Sequence, residues 1–116
     1  MRENERGALF IICYTIISII MQAHIFILGK VTGVYFRAFV KERADRVGVK
    51  GWVRNRYEFD NEYGSNPRVE AVLQGSKSLL EELIRDLHIG PPFSKVIQVV
   101  VKWEEEKQQY SSFEIQ

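Results

Sequence analysis

The stretch Gly29-Lys30-Val31-Thr32-Gly33-Val34-Tyr35-Phe36-Arg37 decides the fold. It reads as a glycine-bent turn between an apolar strand, His24 to Leu28, and an amphipathic helix that opens near Tyr35 or Phe36. Glycines at 29 and 33 let the backbone bend and approach a ligand closely, so successive N–H groups can converge on one anion at a helix N-terminus. Arg37 falls in the first helical turn, where a guanidinium adds a bidentate, charge-assisted contact to the same anion. Glycine pairs in strand-to-helix turns are common and most bind nothing, and an arginine in a first turn is ordinarily solvated. Spacing alone therefore leaves a phosphate cradle and a plain turn both open.

Downstream, Phe36, Phe39, Val40, Ala44 and Val47 recur at helical spacing, and Gly48 stops the helix. Val49 to Asn55 predicts a strand, with Val69 to Gln74 as its antiparallel neighbour. Between them Arg56 to Arg68 is rich in turn formers and is expected to run out into solvent rather than overhang the turn at 29–37. A second helix buries Leu79, Leu80, Leu83, Ile84 and Leu87, with Ser78 to Glu81 as a capping box or Ser76 as the cap, and Gly90-Pro91-Pro92 ends it. Lys95 to Trp103 predicts a β-branched strand with Ile97, Val99, Val101 and Trp103 on one face, and Phe113 to Ile115 a short edge strand. The order βαββαβ is that of a ferredoxin-like α+β sandwich, an antiparallel sheet with two helices on one face.

Composition narrows the partners. A chain of 116 residues suits one domain with a core of its own. Net charge of +1 argues against a dedicated nucleic-acid surface, which needs a concentrated basic patch. His24 and His88 are isolated, no closely spaced Cys or His pair exists, and neither a metal nor another cofactor is expected. The lone Cys13 fits a reducing, cytoplasmic compartment. Trp52 and Trp103 read as core or sheet-surface aromatics, and the run Glu104 to Glu106 as a solvated strand end.

Residues 1–20 form an apolar extension ahead of a domain at 21–116. No formal charge falls between Gly7 and Gly29, so hydropathy alone suggests a membrane span. Once the first strand is assigned, only about sixteen residues, 8–23, remain for it, near or below the minimum. A start-site artefact, with translation beginning at Met21, ranks first. An anchor through residues 8–23 ranks second, a signal peptide ending near Met21-Gln22-Ala23 third, and an extra strand fourth.

Residues 29–37 resemble the acylphosphatase signature G-x-V-Q-G-V-x-F-R, and Gly51-Trp52-Val53-Arg54-Asn55 resembles the second signature of that family, G-aromatic-V-basic-N, at a similar spacing. The resemblance runs from about Met21 to Ile115. It implies a phosphate held by the loop amides of Thr32, Gly33, Val34, Tyr35 and Phe36 and by Arg37, with Asn55 orienting the attacking water. Two departures stand out: Thr32 replaces the usual glutamine, and the 56–68 segment is longer than the short turn of the family.

The resemblance implies hydrolysis of a small acyl phosphate, and the residues suit that reaction. The leaving carboxylate needs no strong general acid, and the phosphoryl group needs mainly positioning and charge stabilisation. Two other readings are weighed against it. One is a phosphate-binding module with little catalysis; the other is RNA binding, which rests on fold analogy alone.

Overall fold

The computed structural model describes residues 21–106 and 108–116. β1 (Met21–Lys30) leads through the glycine loop into α1 (Phe36–Val47). Next come β2 (Lys50–Arg56), β3 (Arg68–Gly75), α2 (Lys77–Ile89), β4 (Lys95–Glu104) and β5 (Phe113–Ile115). The sheet order is β4-β1-β3-β2-β5. The first four strands pair antiparallel, whereas β5 runs parallel to β2, with Gly51 opposite Phe113 and Val53 opposite Ile115. The ferredoxin-like expectation holds for the four antiparallel strands, and the tail adds one parallel edge that makes the sheet mixed.

Strand alternation sorts the sheet into two faces. Ala23, Ile25 and Ile27 of β1, Val53 of β2 and Val69, Ala71 and Leu73 of β3 face the helices, where they meet Phe36, Val40 and Ala44 of α1 and Leu80, Leu83, Ile84 and Leu87 of α2. Each of the larger side chains among them, the Val, Leu, Ile and Phe residues, contributes about 1.5–3 kcal/mol by leaving water. Ser76 caps α2 by accepting from the Leu79 amide at 3.3 Å, so the cap lies two residues before the Ser78 capping box.

One strand departs from its expected face. The β1–β4 register shifts between Leu28, opposite Gln98, and Gly29, opposite Val96, leaving Ile97 as the extra residue of a bulge. Val96 then joins Val99 and Val101 against the core, Ile97 is 75 % exposed, and Trp103 remains 41 % exposed at the sheet edge. Gly29 makes the bulge feasible. At φ 129 a Cβ there would lie 2.1 Å from the Lys95 carbonyl oxygen, so this glycine serves strand approach rather than a ligand.

The 56–68 segment also corrects its expectation. Beyond Tyr57 it folds back over the face of the sheet opposite the helices instead of extending freely into solvent. Arg68 is the anchor: fully buried, it donates to the carbonyls of Asn66 and Glu58 and to Asp60 Oδ2. Asp60 Oδ1 in turn accepts from the amides of Glu62 and Tyr63. Tyr63 packs on Phe26 with ring centroids 4.8 Å apart, and Lys102 of β4 donates to Glu62 at 2.9 Å. Further along the same face the Tyr110 amide donates to Gln74, and Trp52 Nε1 donates to the Tyr110 hydroxyl. β3 is consequently buried on both sides.

Among the described residues no helix is long and apolar enough to cross a membrane. The start-site, signal-peptide and extra-strand readings of residues 1–20 lie outside the described residues, as does most of the 8–23 span, whose last three residues belong to β1.

Candidate functional site

The loop after β1 enters α1 through an unusual backbone. Gly33 has φ 71, and Tyr35, the residue before the helix, is held at φ 62 and ψ 25 with no side-chain cap. For a non-glycine residue the left-handed region costs about 1–2 kcal/mol. Left-handed residues alternating with ordinary ones turn successive N–H groups toward a common point, an anion-binding concavity. A Cβ at Gly33 would meet nothing within 4 Å, so conformation rather than space selects glycine there. Among the described residues, the amides of Thr32, Gly33, Val34, Tyr35 and Phe36 donate to no protein acceptor, and the helix N-terminus adds its partial positive charge.

A cavity of about 380 Å³ opens over these amides, lined by Val31, Gly33, Tyr35, Phe36, Arg37, Ala38, Asn55 and Ile115. Of the residues the sequence singles out, Gly33, Tyr35, Phe36, Arg37 and Asn55 meet around it; the side chains of Thr32 and Val34 are half-buried beside it and are not among its lining residues. Arg37 is exposed in the first turn of α1 and makes no ion pair or hydrogen bond among the described residues. Asn55 reaches the cavity from β2, on the same strand face as Val53, because residues two apart in a strand share a face.

Electrostatics single out Arg37. Its counterparts Arg54 and Arg56 flank Asn55 in sequence but emerge on the opposite face, where both bind Glu70: Arg54 Nε at 2.7 Å and Arg56 Nη1 at 3.2 Å. His24 Nε2 donates to the other Glu70 oxygen at 2.6 Å. Burial alone would raise the Glu70 carboxyl, yet these hydrogen bonds and charges outweigh it and pull it down to about 2. Among the described residues Arg37 is left as the one charged side chain lining the cavity.

Three lining residues escape sequence reading. Val31 and Ala38 adjoin residues already singled out. Ile115 arrives through the parallel pairing of β5 with β2, and only the apolar alternation of Phe113 and Ile115 hints at it. Tyr57, two residues beyond Asn55, also touches the site, its hydroxyl accepting from Asn55 Nδ2 at 3.3 Å.

Comparison with known proteins adds an independent finding. The family model described as Acylphosphatase matches residues 23–115. An acylphosphatase of Pyrobaculum calidifontis is 44 % identical over 96 residues, covering 83 % of this chain and 81 % of that one. An acylphosphatase of Pyrobaculum aerophilum is 45 % identical over 94 residues, covering 81 % and 92 %. Among solved structures, the acylphosphatase from Bacillus subtilis superposes with a TM-score of 0.71 at 34 % identity, covering 82 % of this chain and 97 % of that one.

Proposed function

The chain belongs to the acylphosphatase family, and from that premise we propose that it hydrolyses small acyl phosphates to a carboxylate and inorganic phosphate, through a domain spanning residues 21–116. The observation that supports this reading is one cavity lined by Gly33, Arg37 and Asn55 and floored by amides with no acceptor among the described residues. In this mechanism the loop amides and Arg37 hold the non-bridging phosphoryl oxygens and neutralise charge as it spreads over them. The side chain of Asn55, able to donate and accept, orients a water in line with the scissile bond. The water oxygen bonds to phosphorus and the P–O bond to the acyl group breaks. The electron pair leaves on the carboxylate, and the water proton passes to a phosphoryl oxygen. Among the described residues no side chain with general-base chemistry lines the cavity, which suits substrate oxygens as the acceptor.

Turnover of benzoyl phosphate by the wild type, Arg37→Ala and Asn55→Ala tests the assignment. Arg37→Ala is expected to weaken inhibition by inorganic phosphate by about 1.5–3 kcal/mol, the worth of a charged hydrogen-bonded contact. Asn55→Ala is expected to lower kcat while leaving that inhibition in place. Wild-type behaviour in both variants would overturn the reading, and tight phosphate binding without hydrolysis would favour a binding module instead.

A further inference from the structure

The 56–68 segment has no role in the mechanism above, yet its first free residue touches the site. We propose that Tyr57 is a positioning residue for Asn55, so that this enlarged hairpin sets the orientation of the carboxamide that aims the water. The proposal rests on the acylphosphatase reading of the cavity.

Asn55 Nδ2 donates to the Tyr57 hydroxyl at 3.3 Å, and Asn55 Oδ1 has no donor among the described residues. A water about to attack phosphorus keeps a lone pair toward it and gives an O–H to an acceptor. With Nδ2 engaged by the phenol, Oδ1 is the arm of the carboxamide left for that O–H. Without the phenol, rotation about the terminal side-chain bond interchanges the arms at little cost, because that torsion is broad.

Tyr57 is 57 % exposed, and its own ring packing does not explain its placement. The backbone around it does. The Tyr57 amide donates to Glu58 Oε2, Arg56 Nε donates to the same carboxylate, and the Glu58 carbonyl accepts from the buried Arg68. Arg68 also closes on Asp60, whose other oxygen organises the turn at Glu62 and Tyr63. The segment is therefore pinned to the sheet on the C-terminal side of Tyr57 and continuous with β2 on the other. A hydroxyl delivered by a pinned chain loses less entropy on bonding than one on a free loop.

A double-mutant cycle with benzoyl phosphate tests this on the full chain, comparing wild type, Tyr57→Phe, Asn55→Ala and the double variant, with inorganic phosphate inhibition and thermal melting measured on each. Tyr57→Phe should lower kcat about three- to tenfold, the worth of one neutral hydrogen bond, with phosphate inhibition and melting temperature unchanged. In the Asn55→Ala background the same substitution should have no further effect on kcat, because the group it acts through is gone. Equal losses in both backgrounds would overturn the proposal, as would wild-type kcat in Tyr57→Phe beside an impaired Asn55→Ala. That second result leaves the acylphosphatase reading standing; absence of turnover in the wild type removes both.

Discussion

Acidification should release one large contribution to stability at a single side chain, Glu70. Its side chain is only 4 % exposed and carries hydrogen bonds from His24, Arg54 and Arg56. Although burial opposes ionisation, those partners hold the carboxyl at about 2, against an ordinary 4.5. A folded-state value below the unfolded one means that the stabilisation is complete above the unfolded value and is lost as pH falls toward the folded one. At 1.36 kcal/mol per unit the full contribution is about 3 kcal/mol, of which about 2 kcal/mol is already gone at pH 3. The assay is urea denaturation of wild type and Glu70→Gln between pH 3 and pH 7. Other carboxylates titrate in this range too, but they are common to both proteins and drop out of the difference. Glu70→Gln is expected to be the less stable at pH 7, and the gap should narrow by about 2 kcal/mol by pH 3. A gap independent of pH would refute the argument, since it would mean that the hydrogen bonds from His24, Arg54 and Arg56 do not favour the charged form.

Two glycines of the loop should separate cleanly. Gly29→Ala forces a Cβ against the Lys95 carbonyl and is expected to cost more than about 3 kcal/mol in equilibrium unfolding, as a backbone clash that no side-chain rotation relieves. Gly33→Ala meets no atom and should cost only the left-handed strain of about 1–2 kcal/mol, while weakening phosphate inhibition by deforming the amide cradle. Arg68→Leu strips partners from Asp60 and from the Glu58 and Asn66 carbonyls and should destabilise by about 3–5 kcal/mol in urea denaturation. At a temperature where that variant is still folded, its kcat should fall to the level of Tyr57→Phe, because the same anchor holds Tyr57 beside Asn55.

The helices were legible because their information is local: Phe36, Val40 and Ala44 lie on one stripe whatever they pack against, and Gly48 ends it by its own backbone preference. The loop and Asn55 were legible because one short βαβ unit brings them together. What local pattern could not reveal is non-local. The bulge that turns Ile97 outward exists because Gly29 lets two strands approach, and nothing within Lys95 to Trp103 encodes it. Arg68 looks like a solvent residue until Asp60 and two carbonyls from the same segment close around its guanidinium. Ile115 joins the cavity only through a parallel pairing across the whole domain. At α2, Ser76 and Ser78 are locally equivalent caps, and the end of β3 at Gly75 selects the first.

The run Arg54-Asn55-Arg56 shows how the sheet resolves a chemical conflict inside three residues. Three polar side chains in a row on a loop would crowd one site, and two more guanidiniums beside a phosphoryl cradle would compete with Arg37 for the anion and hold the product. Alternation places only the middle residue on the helix side, at the cavity, and sends both arginines to the opposite face. The group that needs partners there is the buried carboxylate of Glu70 on the neighbouring strand, directly opposite Arg54, and the two partly exposed arginines supply them. The low carboxyl value at Glu70 and the absence of Arg54 and Arg56 from the cavity that Arg37 lines are thus two consequences of one strand register. A one-residue slip of β2 against β3 would reverse both at once, exchanging Asn55 for an arginine at the cavity and leaving Glu70 with fewer cations.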